Sequence, residues 1–141
     1  MRQIGRRFPL LALLSLLLPA VAGWALHGFT AGGAVRGLVW GGLVRIFFVH
    51  HVTWSVNSIC HIFGRRRFAI EDRSTNVWWL APFSLGESWH HNHHAFPRSA
   101  VHGLKWWELD ISAIVIRAME KLGLAWNVIR ITPERQQNKL A

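Results

Sequence analysis

The segment SLGESWHHNHHAFP, residues 84–97, governs how the whole chain is interpreted, because it places four histidines within five residues. Neutral imidazole is a common nitrogen ligand for iron, zinc and copper. Each helical residue turns by about 100°, so a helix here places His90, His93 and His94 on one face, able to hold one metal ion or two adjacent ions. The alternative is a polar surface helix that happens to be rich in histidine. The helix is expected to begin near the start of the segment and to stop before its proline.

Upstream of this segment the sequence is strongly apolar. Residues 8–27, FPLLALLSLLLPAVAGWALH, carry no formal charge and reach the length of about 20 residues that a helix needs to cross a bilayer. A second span is predicted at residues 34–63, with Arg36 and Arg45 inside it. Arg36 can extend to the interface, whereas Arg45 lies deeper and is expected to face protein or a polar cavity, since a charge facing lipid is costly.

The first thirty residues also fit a secretory signal peptide, with a basic start, a short apolar core and small residues near Ala22. A cleaved product would leave the second span unexplained, so two transmembrane helices are favoured. Arginines stand at both ends of the pair, and the positive-inside tendency places both ends in the cytoplasm. The predicted fold is therefore an all-α integral membrane protein, with a transmembrane hairpin in residues 1–63 and a cytoplasmic, histidine-bearing cap in residues 64–141.

The charge balance points to membranes more than to nucleic acid. Sixteen basic residues stand against seven acidic ones, and the arginines flank apolar spans, which favours anionic headgroups. We expect no nucleic-acid binding. Cys60 is the single cysteine, which excludes an intrachain disulfide and a cysteine-based metal site. Six cations of the predicted cap form a basic face that suits either acidic partners or lipid headgroups: Arg65, Arg66, Arg67, Arg73, Arg98 and Lys105.

A second group of chemical interest lies near the end of the second span. Trp54, Asn57 and His61 have the spacing i, i+3, i+7 and therefore share a helix face. A polar stripe on a membrane helix is costly unless it serves a site. The alternative is hydrogen bonding between helices through the amide and the neighbouring Ser58. His50 and His51 are expected to lie at the membrane interface or to support metal ligands from behind. Direct binding of the metal is the less favoured role for both.

Beyond the histidine segment the sequence predicts two more helices. Asp110 is a suitable N-cap for a helix over 111–122, and Gly123 a suitable stop. The apolar positions of this helix keep helical spacing, so we expect them to pack. Thr132 is expected to cap a short terminal helix.

Two motifs taken together resemble the C-terminal part of the membrane acyl-CoA desaturases of the delta-9, or stearoyl-CoA, type. They are Asn57-Ser58-Ile59-Cys60-His61 and the downstream Gly86-Glu87-Ser88-Trp89-His90-His91-Asn92-His93-His94-Ala95-Phe96-Pro97. The resemblance extends from the first apolar span to Gly123-Leu124-Ala125-Trp126. It implies a fold of four transmembrane helices under a cytoplasmic cap, with two irons at their junction.

The resemblance further implies that the two irons are held by nine histidines and by one asparagine acting through a water. Four of the nine are matched here by His61, His90, His93 and His94, and the asparagine is matched by Asn57 through a water. No ligand is matched by two other histidines of the cap: His91 and His102.

Two more residues receive roles. By resemblance, Trp54 falls where the family lines its acyl tunnel. Glu87 lies three residues before His90, within helical reach, and is predicted to be an outer acceptor that orients an imidazole. The alternative for Glu87 is an exposed surface acid.

The resemblance implies a reaction that removes two hydrogens from a saturated acyl chain on CoA or on a lipid. It uses O₂ and two electrons from a donor such as cytochrome b5 or a ferredoxin. The family's H-x-x-x-x-H box and an earlier H-x-x-H-H box have no match in this sequence. We therefore expect a C-terminal portion that supplies the third histidine box and does not build the complete di-iron centre alone, which puts its activity alone in doubt. The alternatives are a non-catalytic membrane metal-binding protein, a membrane di-iron hydroxylase, and a secreted histidine-rich protein cleaved after Ala22.

Overall fold

The computed structural model describes residues 2–140, with side chains described from residue 5 onward. The described part is mainly helical and holds two isolated β-bridges but no strand. It divides into two compact units, one ending at His51 and one beginning at Val52.

The first unit is built on two apolar helices. Helix α1 covers Arg2–Leu26. Helix α2 covers Ala31–Ile59 and is π-helical over Gly37–Val44. Both are long and apolar enough to cross a membrane, with mean hydropathies of 2.0 over Gly5–Leu26 and 1.4 over Ala31–Ile59.

The second helix begins and ends earlier than the sequence predicted. Thr30 caps its first turn, because the Thr30 hydroxyl accepts a hydrogen bond from the Gly33 amide at 3.1 Å. Its end is set by Thr75, which donates to the Cys60 carbonyl through both its amide, at 2.7 Å, and its hydroxyl, at 2.9 Å. Thr75 thus occupies the Cys60 carbonyl, which would accept a backbone hydrogen bond if the helix continued for another turn.

Glycines bring the two helices of the first unit into backbone contact. A Cβ atom on Gly37 would lie 2.1 Å from the Pro19 carbonyl oxygen, and one on Gly23 would lie 2.4 Å from that of Gly33. Only a hydrogen atom fits at these positions, which is the small-residue packing that membrane helices use to approach closely. We call this contact the glycine seam.

Arg45 is satisfied inside the first unit, as the sequence predicted. Its guanidinium donates from Nε to the Gly41 carbonyl at 2.7 Å and from Nη2 to the Ser15 carbonyl at 2.8 Å. The Ser15 carbonyl lacks its usual helical donor, because the residue four positions later is Pro19, which has no N–H. Gly41 lies in the π-helical stretch of α2. The guanidinium therefore binds backbone oxygens of both helices, while the residue as a whole is exposed. These bonds lower the cost of a charge placed along an apolar helix.

The second unit packs around two small apolar clusters. One cluster joins the end of α2 to the following cap segment, through Val56, Cys60, Val77 and Leu80. The other holds the histidine segment, through Phe68, Ala95 and Phe96. Its regular elements are a 3₁₀ turn, Trp78–Leu80, and three helices: α3, His90–Ala95; α4, Ile111–Lys121; and α5, Pro133–Gln137.

The histidine helix is shorter than predicted, because it begins at His90 and not near Ser84. Leu85 and Gly86 have φ angles of 55° and 103°, which an α-helix does not allow. A Cβ atom on Gly86 would lie 2.6 Å from Oδ1 of Asp110. This close approach to a distant residue breaks the helix, and no local pattern reveals it.

The two C-terminal helices match their predicted caps. The Asp110 carboxylate accepts from the Ala113 amide, and the Thr132 hydroxyl accepts from the Arg135 amide. Gly123 ends α4 with a φ of 70°. The expected packing of α4 is not found within residues 5–140, since Ile114 is 56% exposed. Most of the remaining apolar face is exposed as well, at Val115, Met119 and Leu122.

Candidate metal centre

Three of the predicted ligands converge on one point in the second unit. Nε2 of His90 lies 3.2 Å from Nε2 of His61 and 3.0 Å from Nε2 of His94. The ligating nitrogens of the three side chains all lie within 4.8 Å of one another. His61 comes from the turn after α2, while the other two lie one turn apart on α3. We call these residues the three-histidine group.

His93 lies beside this group but outside it. Its ring centroid is 6.2 Å from that of His90 and 4.7 Å from that of His102. Nδ1 of His93 is buried and has no hydrogen-bond partner among the described residues. An unsatisfied buried nitrogen is costly in a protein without a ligand. It fits a histidine that offers this atom to a metal ion.

Asp72 is a functional candidate that sequence reasoning missed. Its Oδ2 contacts Nδ1 of His94, and its Oδ1 accepts hydrogen bonds from the Ser74 amide, at 2.7 Å, and the Ser74 hydroxyl. Burial acts to raise the pKa of Asp72, but the Ser74 hydrogen bonds and the contact with His94 outweigh it and lower the pKa to about 2. The pattern Asp72-x-Ser74 predicts a turn, but nothing in the sequence indicates that Asp72 contacts His94.

The other residues predicted from the second span lie along α2. The Asn57 amide donates to the Thr53 carbonyl at 2.9 Å, and the Trp54 side chain is 60% exposed. His50 and His51 each direct Nδ1 to a carbonyl oxygen one turn earlier on the helix, at 2.8 Å. None of these four side chains belongs to the three-histidine group, and their predicted roles remain predictions.

Glu87 and His91 occupy contrasting positions around α3. Glu87 is exposed and lies in the turn before the helix, so it does not reach His90 along a helix face as expected. Its charge acts instead on His93, where it raises the pKa against the larger lowering effect of burial. His91 is fully buried, and its Nε2 accepts from the Phe68 amide at 3.0 Å.

Burial favours the neutral form of four histidines in and around the centre: His90, His91, His93 and His102. It lowers the pKa of His90 to about 4, with further lowering from the charges of His94, His61 and His93. Burial also lowers the pKa of His91, His93 and His102. Metal ions bind the neutral imidazole, so these side chains are in the ligand form at neutral pH.

These lowered pKa values predict acid destabilisation of the metal-free chain. The unfolded chain takes up protons below the ordinary histidine pKa of about 6.5, whereas the folded chain resists protonation until the lowered pKa is reached. The stability is therefore full above pH 6.5 and falls as the pH decreases toward 4. We expect the melting temperature of the metal-free chain to drop between pH 7.5 and pH 5.0, with a smaller drop in the His90→Phe variant. Equal melting temperatures at the two pH values would contradict the prediction.

Comparisons of the sequence with known proteins identify the family of this chain. The sequence profile of the fatty acid desaturase family matches residues 1–130. The delta-9 desaturase-like 4 protein of Arabidopsis thaliana is 51% identical over 109 residues, which cover 77% of this chain and 36% of the relative. The sn-1 stearoyl-lipid 9-desaturase of Anabaena variabilis is 47% identical over 115 residues, covering 82% and 38%.

A third relative, the hex-5-enoyl-[acyl-carrier protein] acetylenase of Moorena producens, is 45% identical over 126 residues, covering 89% of this chain and 39% of the relative. The chain thus spans between 36% and 39% of the length of these three relatives. Two of the names specify a lipid or an acyl-carrier protein and none specifies CoA, so the comparisons support the family without the acyl-CoA type that the sequence motifs resemble. The chain belongs to the fatty acid desaturase family.

Proposed function

We propose that this chain supplies part of the di-iron centre of an O₂-dependent enzyme that removes two hydrogens from a saturated fatty acyl chain. The observation that carries the proposal is the convergence of three Nε2 atoms, from His61, His90 and His94, in a chain of the desaturase family. Nitrogen donors without thiolate suit iron that must change oxidation state while keeping positions open.

The donor set fits iron on two counts. The three-histidine group offers three neutral imidazole nitrogens to one ion, and His93 offers a buried, unpartnered nitrogen beside it. We propose that His93, together with Asn57 through a water, belongs to a second ion. These residues fall short of the nine histidines that the family resemblance implies, so the remaining ligands are proposed to come from residues outside this sequence.

Bound iron would supply the oxidising power needed to break an unactivated C–H bond, and the protein supplies geometry and exclusion of water. His90 is only 9% exposed, so little of its ring contacts water. Trp54 is proposed to line the path of the acyl chain. Its side chain lies on the apolar helix α2, seven residues before His61.

The two apolar helices are proposed to span the membrane, with both ends of the chain in the cytoplasm. The cap then lies at the cytoplasmic surface, where an acyl group on a lipid or on CoA arrives. The arginines in the first turns of α1 and those that follow α2 favour this orientation under the positive-inside tendency.

A basic cleft in the cap is the proposed meeting place for charged partners. It has a volume of about 670 Å³ and is lined by Arg65, Arg66 and Lys105 beside four tryptophans. The fourth cation of its lining, Arg67, is already paired with Glu108. We propose that the cleft receives the acidic surface of an electron donor such as cytochrome b5 or a ferredoxin, or the phosphates of the acyl carrier. Complementary charge mainly speeds and orients such encounters.

A chimera tests the proposed reaction. The chain is fused behind the N-terminal part of the sn-1 stearoyl-lipid 9-desaturase of Anabaena variabilis, in place of the segment that it matches. We expect iron to bind and saturated acyl chains to become alkenes. We expect His93→Ala to bind less iron, because the second ion is lost, and to make no alkene. His27→Ala, in the turn between the two apolar helices, is the matched control and is expected to keep both.

Each other outcome of the chimera experiment has a defined meaning. Alcohol products would identify a hydroxylase, and bound metal without any O₂-dependent product would identify a non-catalytic metal-binding protein. Unchanged iron content and desaturation in His93→Ala would show that His93 is not a ligand.

A further inference from the structure

A chain of hydrogen bonds leads from a backbone amide to the three-histidine group. The Phe68 N–H donates to Nε2 of His91 at 3.0 Å, so this Nε2 is an acceptor without a proton. The proton of neutral His91 is therefore on Nδ1, which lies 3.2 Å from the Ser74 hydroxyl oxygen. Because a backbone amide can only donate, the direction of the first bond fixes the direction of the second.

The direction continues through the next two groups. The Ser74 hydroxyl accepts from His91 and gives its own hydrogen to Oδ1 of Asp72, which also accepts from the Ser74 amide. Oδ1 is thus occupied by two donors, and Oδ2 is left facing Nδ1 of His94. A carboxylate only accepts, so His94 must carry a proton on Nδ1.

We infer that Asp72, oriented by Ser74 and His91, is a positioning residue that fixes His94 in the tautomer with Nδ1 protonated and Nε2 bare. In this tautomer the lone pair of Nε2 points toward Nε2 of His90, 3.0 Å away, at the three-histidine group. A partner behind the ring holds a metal-binding histidine in the required tautomer and strengthens its basicity. The inference rests on the proposed function only in giving the bare Nε2 a metal to bind.

This assignment also accounts for the burial of two residues that no ligand role explains. His91 and Ser74 are both fully buried, at 0% exposure. In the hydrogen-bond chain, His91 links the backbone of one loop to the carboxylate behind His94, and Ser74 gives that carboxylate a single orientation. His91 thus lies inside the H-x-x-H-H motif and helps to orient one of its histidines, but its own ring is not directed at the three-histidine group.

The test reads the tautomer of the metal-free chain directly. The full chain is labelled with ¹⁵N-histidine in detergent, and ¹H–¹⁵N correlation spectra at pH 8 distinguish a protonated ring nitrogen from a bare one. The His94 signal is assigned by its absence in His94→Gln. We expect Nδ1 of His94 to be protonated in the wild type, and Asp72→Asn to shift the population toward Nε2–H. Ser74→Ala is expected to shift it in the same direction by a smaller amount, and Glu71→Gln, beside Asp72, to leave it unchanged.

Two results would overturn the inference: a wild-type His94 with Nε2 protonated, or the same tautomer in Asp72→Asn as in the wild type. Cobalt(II) titration of the same samples tests the metal centre separately. We expect Asp72→Asn to weaken cobalt binding by about 10- to 100-fold, the usual effect of losing such a partner. Failure of the wild type to bind cobalt, with Nδ1 of His94 protonated, would reject the proposed centre while supporting the role of Asp72.

Discussion

Replacing His90 with alanine is expected to remove metal binding by the three-histidine group almost completely. His90 is its central member, with Nε2 within 3.2 Å of Nε2 of both partners. The rings of His61 and His94 lie 5.5 Å apart and come from different segments, so they cannot replace its contribution. Loss of an outer partner already weakens metal sites by about 10- to 100-fold, and loss of this ligand is expected to exceed about 100-fold.

Cobalt(II) titration of the full chain in detergent measures this loss through the visible absorption of nitrogen-bound cobalt. His27→Ala is the matched control, because it removes an exposed histidine in the turn between α1 and α2. It is expected to leave the cobalt affinity unchanged. Equal affinities of the wild type and His90→Ala would show that the convergence of the three Nε2 atoms is not a metal site.

The Glu108→Ala variant is expected to lose most of the stability of the cap. The Glu108 side chain is 2% exposed and forms an ion pair with Arg67 at 3.0 Å. Its other oxygen accepts from the Asn92 amide at 2.9 Å and from the Leu104 amide at 2.7 Å. Alanine would leave a poorly hydrated guanidinium and several donors without this acceptor, and breaking such a pair costs about 3–5 kcal/mol.

The loss should also reach the metal centre, because Asn92 lies inside the histidine box. Its Oδ1 accepts from Nη2 of Arg67, and its amide donates both to Glu108 and to the His102 carbonyl. Urea unfolding followed by tryptophan fluorescence measures the stability, and cobalt titration measures the site. Glu71→Ala removes an exposed acid of the same cap and should change neither quantity. A loss of less than about 1 kcal/mol in Glu108→Ala would mean that the pair is not buried in solution.

Local periodicity predicted the part of the site that is local. The spacing of His90 and His94 is one helical turn, and their side chains do meet. The same spacing rule placed His93 with them, but its ring turns to His102. Helical spacing alone does not distinguish two ligand positions that lie less than one turn apart. His61 lies 29 residues away from His90. Its place at the end of the second span suggested that the histidine helix could dock on it, and the family resemblance then linked it to this group.

The contacts that hold the site could not be read from the sequence. Asp72 meets His94 and Glu108 meets Arg67 because the loops of the cap cross there, and no periodic pattern records a loop crossing. The start of α3 was misplaced for the same reason, since Asp110 approaches Gly86 from a distant segment. The capped starts of α4 and α5 were predicted because a cap and its helix are neighbours in sequence.

The glycine seam limits where a lipid tail can travel. Between Pro19 and Gly37 the two helices of the first unit leave less space than one methyl group needs. A hydrocarbon chain therefore cannot thread between them at this depth. Under the proposed function, an acyl tail therefore passes outside this pair of helices. A larger side chain in the seam would then separate the two helices instead of changing which tails fit.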